Sequence, residues 1–140
     1  MLDIRNLSFH TQNVERKSIY VESTIPSYLT AKTSSNFLNA AHQSITRQVW
    51  DNEMYKYDLF ISDYVIEDCE KGDSDAAKRR LDCIANITLL QKTPEIESLA
   101  LIYQDLLGVP DKAKEDCFHL AACVVERIDY LLTWNCRHLG

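Results

Sequence analysis

The sequence has few residues that break regular structure and no apolar run long enough to cross a membrane. It contains three glycines and three prolines among 140 residues, and no stretch with the composition of a linker. We therefore expect a single domain. A membrane-spanning helix needs about 18 apolar residues in succession, and the densest apolar patch, LAACVV, is closed by Glu126 and Arg127. The sequence thus predicts no membrane span.

Regularly spaced cysteines and an excess of positive charge are also missing. Five cysteines without regular spacing are a poor basis for a disulfide framework. The first residues, MLDIRNLSFHTQNVERKS, lack the continuous apolar core of a signal peptide. Both observations predict a cytoplasmic protein. The net charge of −6 disfavours a protein that coats nucleic acid irrespective of sequence, but it allows an enzyme that holds a phosphodiester through metal ions.

From residue 19 onward the chain alternates short strands with helices. The runs SIYVEST, YDLFIS, NITLL and DYLLTWN have the β-branched and aromatic content of strands, and the segments between them have apolar residues at helical spacing. Strands separated by helices predict an α/β layer fold with a parallel sheet and right-handed crossovers. Residues 1–18 show no clear periodicity, so we interpret them as an N-terminal extension and residues 19–140 as the domain.

Four acidic or amide side chains lie close to the predicted strand ends. Glu22 ends the first strand, Glu67 is in the helix after the second, Asp116 begins the last helix, and Asn135 ends the fourth strand. In parallel sheets, sites gather at the carboxyl ends of the strands. Carboxylates brought together repel each other unless they share a cation, and Mg²⁺ prefers oxygen ligands. The pattern indicates a site for a hard divalent ion.

Other assignments remain open at this point. Asp63, Asp68 and Glu70 are near Glu67, and the side chain of Asp68 would point about 100° around the helix from that of Glu67. A zinc site is a weaker alternative, because the sequence has no C-x-x-C pair and cysteine is often a small buried hydrophobe. Its candidate ligands are His119, Cys123, Cys136 and His138.

Three blocks of the sequence resemble the conserved motifs of PIN domains: YVESTIPSYLTA, ISDYVIEDCEKGD and KEDCFHLAACVVERIDYLLTWNCRHL. The resemblance is to the VapC-type ribonuclease toxins of type II toxin–antitoxin systems and extends from about residue 19 to the end of the chain. Its most specific part is a D-x-x-H-[LI]-A helix followed by a hydrophobic strand that closes on T-W-N. The resemblance implies a three-layer α/β/α sandwich with a central parallel sheet of about four strands.

The same resemblance implies an activity and a set of site residues. Glu22, Glu67 and Asp116 match positions that bind Mg²⁺ or Mn²⁺, and Asn135 and Thr133 match the remaining catalytic positions. The implied function is a metal-dependent endoribonuclease that leaves a 5′-phosphate and a 3′-hydroxyl. The implied partners are an RNA substrate, a cognate antitoxin protein and a second copy of the chain in a homodimer.

Two departures from the family pattern support alternative hypotheses. Position 22 is Glu where most of the family has Asp, and the chain ends at Gly140, where relatives commonly continue with a further short element. We therefore expect that the last C-terminal element of the domain is absent from this chain. A catalytically silent PIN fold that binds RNA or protein is one alternative function. A plain interaction domain, in which the acids are surface residues, is another.

Overall fold

A computed structural model describes residues 15–135, and its centre is a four-stranded parallel sheet flanked by helices. The strand order is β3-β2-β1-β4, and all three neighbouring pairs are parallel. The predicted α/β fold with about four parallel strands is therefore confirmed. Most of the expected N-terminal extension lies outside the described residues. The strands are β1 (Ser18–Val21), β2 (Asp58–Ser62), β3 (Thr88–Leu90) and β4 (Tyr130–Leu132).

Six α-helices connect the strands, and five of them match helices predicted from apolar spacing and caps. Thr93 caps α5 through a bond from the Ile96 backbone N–H (3.3 Å), and Asp73 caps α4 through a bond from Ala76 (3.0 Å). The helices are α1 (Thr24–Thr30), α2 (Phe37–Asn52), α3 (Asp63–Cys69), α4 (Ser74–Ile84), α5 (Pro94–Leu107) and α6 (Lys114–Val125). None of these helices, all within residues 15–135, is long and apolar enough to cross a bilayer.

Helix α1 was not predicted, because Ser23, Thr24 and Pro26 looked like the end of a strand. Pro26 is the third helical residue, where no intrahelical N–H bond is required, so its ring is tolerated. Two hydroxyls then bond back to the preceding turn: Ser27 Oγ to the Ser23 carbonyl (2.9 Å) and Thr30 Oγ1 to the Pro26 carbonyl (2.8 Å). The chain therefore turns into a helix two residues after Glu22.

The strand order creates a switch point between β1 and β4. The chain moves outward from β1 to β2 and β3, and then returns to place β4 on the other side of β1. With right-handed crossovers, this change of direction puts α1, α2 and α4 on one face of the sheet and α5 and α6 on the other. The packing agrees, since α1 contacts α2 and α4 while α5 packs along α6. Ligands of open α/β sheets bind where the carboxyl ends of two such strands diverge.

Small residues let the helical layer approach the central strand closely. Tyr20 and Val21 of β1 are fully buried, as are Ala121 and Ala122 of α6 and Ala100 of α5. Because alanine side chains are short, α5 and α6 can pack with close backbones over β1. This packing brings the start of α6 to the end of β1.

The ends of α5 and α6 give a test of backbone strain. Gly108 ends α5 with φ +57°, a left-handed conformation that glycine adopts without cost, whereas Arg127 adopts φ +55° after α6. We expect Arg127→Gly to raise the free energy of unfolding by about 1 kcal/mol and Gly108→Ala to lower it by a similar amount. Urea denaturation of both variants measures the effect. Equal stability of Arg127→Gly and the unmodified protein would contradict it.

Candidate metal centre

Glu22 directly follows β1 and is buried, with 5% of its surface exposed. Its Oε2 accepts hydrogen bonds from Thr24 N (3.0 Å), Thr24 Oγ1 (2.5 Å) and Thr133 Oγ1 (2.7 Å), and its Oε1 accepts one from Ser23 Oγ (2.8 Å). The backbone N–H of Glu22 also bonds to the Leu132 carbonyl of β4 (3.1 Å). These donors come from both sides of the β1–β4 switch point and hold the carboxylate in one orientation.

The segment after β4 is hydrogen-bonded to Thr24, which also contacts Glu22. Trp134 N donates to Thr24 Oγ1 (2.9 Å), whose own proton is directed to Glu22, and Asn135 N donates to Thr133 Oγ1 (2.9 Å). The Trp134 ring stacks on His42 with centroids 4.1 Å apart. The position of Asn135 is thus coupled to that of Glu22 through two hydroxyl groups.

Asp68 of α3 is the second carboxylate that reaches this point. Its Oδ2 accepts a hydrogen bond from Ser23 Oγ (3.0 Å), the hydroxyl that also contacts Glu22 Oε1. A serine hydroxyl carries one proton, so it cannot donate fully to both carboxylates at once. Glu22 and Asp68 therefore share one hydroxyl proton between them.

His119 completes the group from α6 and is 2% exposed. Its Nδ1 is 2.6 Å from the Tyr20 hydroxyl, which is 2.6 Å from Ser62 Oγ, and its Nε2 is 3.5 Å from Asp68 Oδ2. Burial raises the pKa of Tyr20 well above its usual range, so the phenol stays protonated. One ligand atom from each of Glu22, Asp68 and His119 lies within 4.8 Å of the others.

Asp116 and Asn135 form a second pair at the same end of the fold. Asp116 is 9% exposed, in the first turn of α6. Asn135 Nδ2 contacts both carboxylate oxygens of Asp116 at 3.2 Å. Because residues three apart lie on one side of a helix, Asp116 and His119 are neighbours on α6. The structure thus places Glu22, Asp116, Thr133 and Asn135 at the predicted end of the sheet.

Glu67 lies away from this group. It is exposed, and its carboxylate pairs with Lys92 Nζ at 2.6 Å. The one-residue difference between Glu67 and Asp68 turns the side chain by about 100°, so only one of them can face β1. Spacing alone offered no means of choosing between the two acids. The sequence named His119 only as a candidate zinc ligand, although its position three residues after Asp116 was a usable signal for this group.

The two carboxylate oxygens of Asp68 have different surroundings. Lys71 Nζ is 3.1 Å from Asp68 Oδ1 and 3.1 Å from Glu115 Oε1, on the outer side of the site. Burial alone would raise the pKa of Asp68, but its contacts with His119, Glu115 and Lys71 outweigh burial and hold that pKa well below its usual range. The hydrogen bond with Asp68 raises the pKa of Glu115, and burial raises it further. Lys71 therefore neutralises the outer oxygen and leaves Oδ2 facing Ser23 and His119.

The donor chemistry fits a divalent cation. Two carboxylates and an imidazole nitrogen are brought within bonding range of one point, and hydroxyl groups support them. Carboxylates suit Mg²⁺ and Mn²⁺, and imidazole suits the transition metals. Of the alternative zinc set, Cys123 does not belong to the described group that includes His119, and burial raises the pKa of its thiol to about 12. The other two candidates, Cys136 and His138, lie outside the described residues.

Comparison with known proteins supports the fold. No family model matches the sequence, and no curated protein sequence matches it significantly. Among solved structures, the chain is similar to VapC20 of Mycobacterium tuberculosis, a sarcin-ricin loop cleaving toxin. The TM-score is 0.64 at 12% identity, and the match covers 86% of this chain and 92% of the toxin. The chain therefore has the PIN-type α/β/α fold that the sequence motifs implied.

A charge substitution at Asn135 tests the geometry of the second pair. Asn135→Asp replaces the amide donor with a carboxylate beside Asp116, and we expect it to lower the free energy of unfolding by about 1–3 kcal/mol in EDTA. Excess Mn²⁺ should recover this loss, because a shared cation removes the repulsion. Urea denaturation with and without metal measures both effects. Asn135→Ala, which adds no charge, is the control, and Mn²⁺ should stabilise it by no more than it stabilises the unmodified protein. Unchanged stability of Asn135→Asp in EDTA would show that the amide does not stabilise Asp116.

Proposed function

We propose that the protein is a metal-dependent endoribonuclease that hydrolyses RNA phosphodiester bonds, as the toxin of a toxin–antitoxin pair. The observation that carries this proposal is the cluster of Glu22, Asp68 and His119 after β1, with the Asp116–Asn135 pair on the helix that carries His119. The similar fold of a toxin that cleaves the sarcin-ricin loop supports the choice of RNA as substrate.

The residues take distinct roles in this proposal. Glu22, Asp68 and Asp116 hold Mg²⁺ or Mn²⁺, with Asp68 in the position that the sequence motif suggested for Glu67. Such a cation supplies an activated water and neutralises the charge that develops on the phosphate. Asn135 fixes the Asp116 carboxylate through its amide (3.2 Å), and Thr133 orients Glu22 (2.7 Å).

The longer side chain at position 22 is compatible with this role. Glutamate has one more rotatable bond than aspartate, so an unsupported Glu22 would sample several positions. Three residues restrict it here, through bonds of 2.5–3.0 Å from Ser23, Thr24 and Thr133. Ligands fixed in this way lose less conformational freedom when a cation binds.

The proposed partners follow from the same charges. The chain carries a net charge of −6, and two of its carboxylates, those of Glu22 and Asp68, meet at one end of the sheet. A basic segment of an antitoxin would complement that charge and block the site. We extend the proposal to an inhibitory basic protein and to a homodimer. Co-expression with a neighbouring small basic protein, followed by size-exclusion chromatography, tests both.

Separate substitution of the two adjacent acids of α3 tests whether Asp68 rather than Glu67 belongs to the metal site. We expect Asp68→Asn to lower the rate of Mn²⁺-dependent RNA cleavage by at least about 100-fold, because a carboxylate that holds the charge-stabilising cation is lost. Glu67→Gln should stay within a few-fold of the unmodified protein, since it removes an exposed contact with Lys92. Cleavage of an RNA pool, with end mapping, gives the rates and the product ends. Asp116→Asn is the inactive reference.

Equal losses in Asp68→Asn and Glu67→Gln would contradict the choice of Asp68. Cleavage by Asp116→Asn at the rate of the unmodified protein would indicate a contaminating nuclease and would overturn the proposed activity.

One observation favours a second candidate, the catalytically silent PIN fold. Oε2 of Glu22 already accepts three hydrogen bonds from the protein, so it needs no cation to satisfy it. In this case the domain would bind RNA or a protein without cutting. Isothermal titration with Mn²⁺ distinguishes the two functions, because the silent domain would show no saturable binding that depends on Asp116.

A further inference from the structure

The distance between His119 and Asp68 is unusual for a direct hydrogen bond. His119 Nε2 is 3.5 Å from Asp68 Oδ2, whereas N–H···O bonds most often have N–O distances of about 2.9–3.0 Å. Two ligands of one octahedral cation, each about 2.1 Å from it, are separated by about 3 Å on adjacent corners and about 4.2 Å on opposite corners. The observed spacing lies between these two values, so both atoms can reach one ion.

The other side of the imidazole ring is occupied by a chain of hydroxyl groups. Nδ1 contacts the Tyr20 hydroxyl (2.6 Å), which contacts Ser62 Oγ (2.6 Å), and either hydroxyl of the second contact can be the donor. If Tyr20 donates to Ser62, it accepts from an Nδ1–H of His119. That tautomer leaves the lone pair of Nε2 directed toward Asp68. Metal-binding histidines commonly donate their second N–H to such a partner.

We propose that His119 is a nitrogen ligand of the metal centre, and that the site therefore selects Mn²⁺ over Mg²⁺. This inference rests on the proposed function and concerns the same site. Mg²⁺ favours an all-oxygen shell and releases its waters reluctantly. Transition-metal ions accept imidazole readily, and carboxylates suit Mn²⁺. The set of Glu22, Asp68 and His119 combines both kinds of ligand.

The hydroxyl chain lets the site exchange between two proton arrangements without moving heavy atoms. When no cation is bound, the Tyr20 proton can go to Nδ1, and the imidazole N–H then faces the Asp68 carboxylate. When a cation is bound, the order of donors reverses and Nε2 is free to coordinate. Tyr20 and Ser62 are suited to this because each hydroxyl both donates and accepts.

Electron spin echo spectroscopy of Mn²⁺ bound to the unmodified protein tests the inference directly. We expect modulation from a directly coordinated ¹⁴N nucleus, and titration calorimetry should show that Mn²⁺ binds more tightly than Mg²⁺. His119→Gln should abolish the ¹⁴N signal and weaken Mn²⁺ binding at least about tenfold. Glu67→Gln, at the exposed acid that pairs with Lys92 outside the site, is the control and should retain both.

The outcomes separate this inference from the proposed function. Saturable Mn²⁺ binding without ¹⁴N modulation, or equal affinity for Mn²⁺ and Mg²⁺, overturns the role of His119 and leaves the nuclease proposal standing. Absence of any Mn²⁺ binding overturns both. The spectrum of the unmodified protein decides the question even if His119→Gln does not fold.

Discussion

The burial of carboxylates at the end of β1 and at the start of α6 is the constraint on which the arrangement of this end of the molecule depends. Glu22 and Asp116 are at most 9% exposed, and Asp68 shares a serine hydroxyl with Glu22. Burying a charge is costly unless it is paired or hydrogen-bonded. The protein meets this cost at Glu22 with hydroxyls and a backbone N–H, and the amide of Asn135 contacts Asp116. The hydrogen bonds described at Glu22 thus hold this carboxylate through neutral donors.

The packing of α6 follows from that constraint. This helix carries Asp116 and His119 on a buried side that also contains small residues, and the small residues allow the helix to lie close to β1. A bulkier residue at Ala121 or Ala122 would push α6 outward and separate His119 from Tyr20 and Asp68. Position and chemistry are therefore coupled: the residues that make the core compact also set the distances within the site.

The sheet was predicted well because the sequence features that indicate strands and helix caps are local. Runs such as SIYV and DLFIS are short, β-branched and bounded by polar residues, and the helices have identifiable caps at Asp73 and Thr93. Helix α1 escaped prediction because its stabilising bonds, from Ser27 and Thr30 to the preceding turn, use residues that are equally common in loops. The end of a strand and the start of a capped helix have the same composition.

The site was harder to predict than the fold because it depends on helical phase. A shift of one residue in α3 exchanges Asp68, which faces Ser23, for Glu67, which faces Lys92 in solvent. No periodicity argument resolves adjacent acids in a seven-residue helix whose boundaries are uncertain by a residue or two. Tertiary contacts make the choice: α3 begins directly after β2, and only Asp68 is then oriented toward β1 and α6.

The neutral donors around Glu22 bear on whether this end of the sheet binds a cation. A site built only to be stable would use Lys or Arg to cancel its carboxylates, as Lys71 does at the outer oxygen of Asp68 and Lys92 does at Glu67. Inside the site, the described residues supply hydroxyls, an amide and an imidazole. Around Glu22 these groups orient the carboxylate through neutral donors. Orientation of this kind suits a carboxylate that binds a divalent ion, and it favours the metal centre that we propose over a structural cluster of acids.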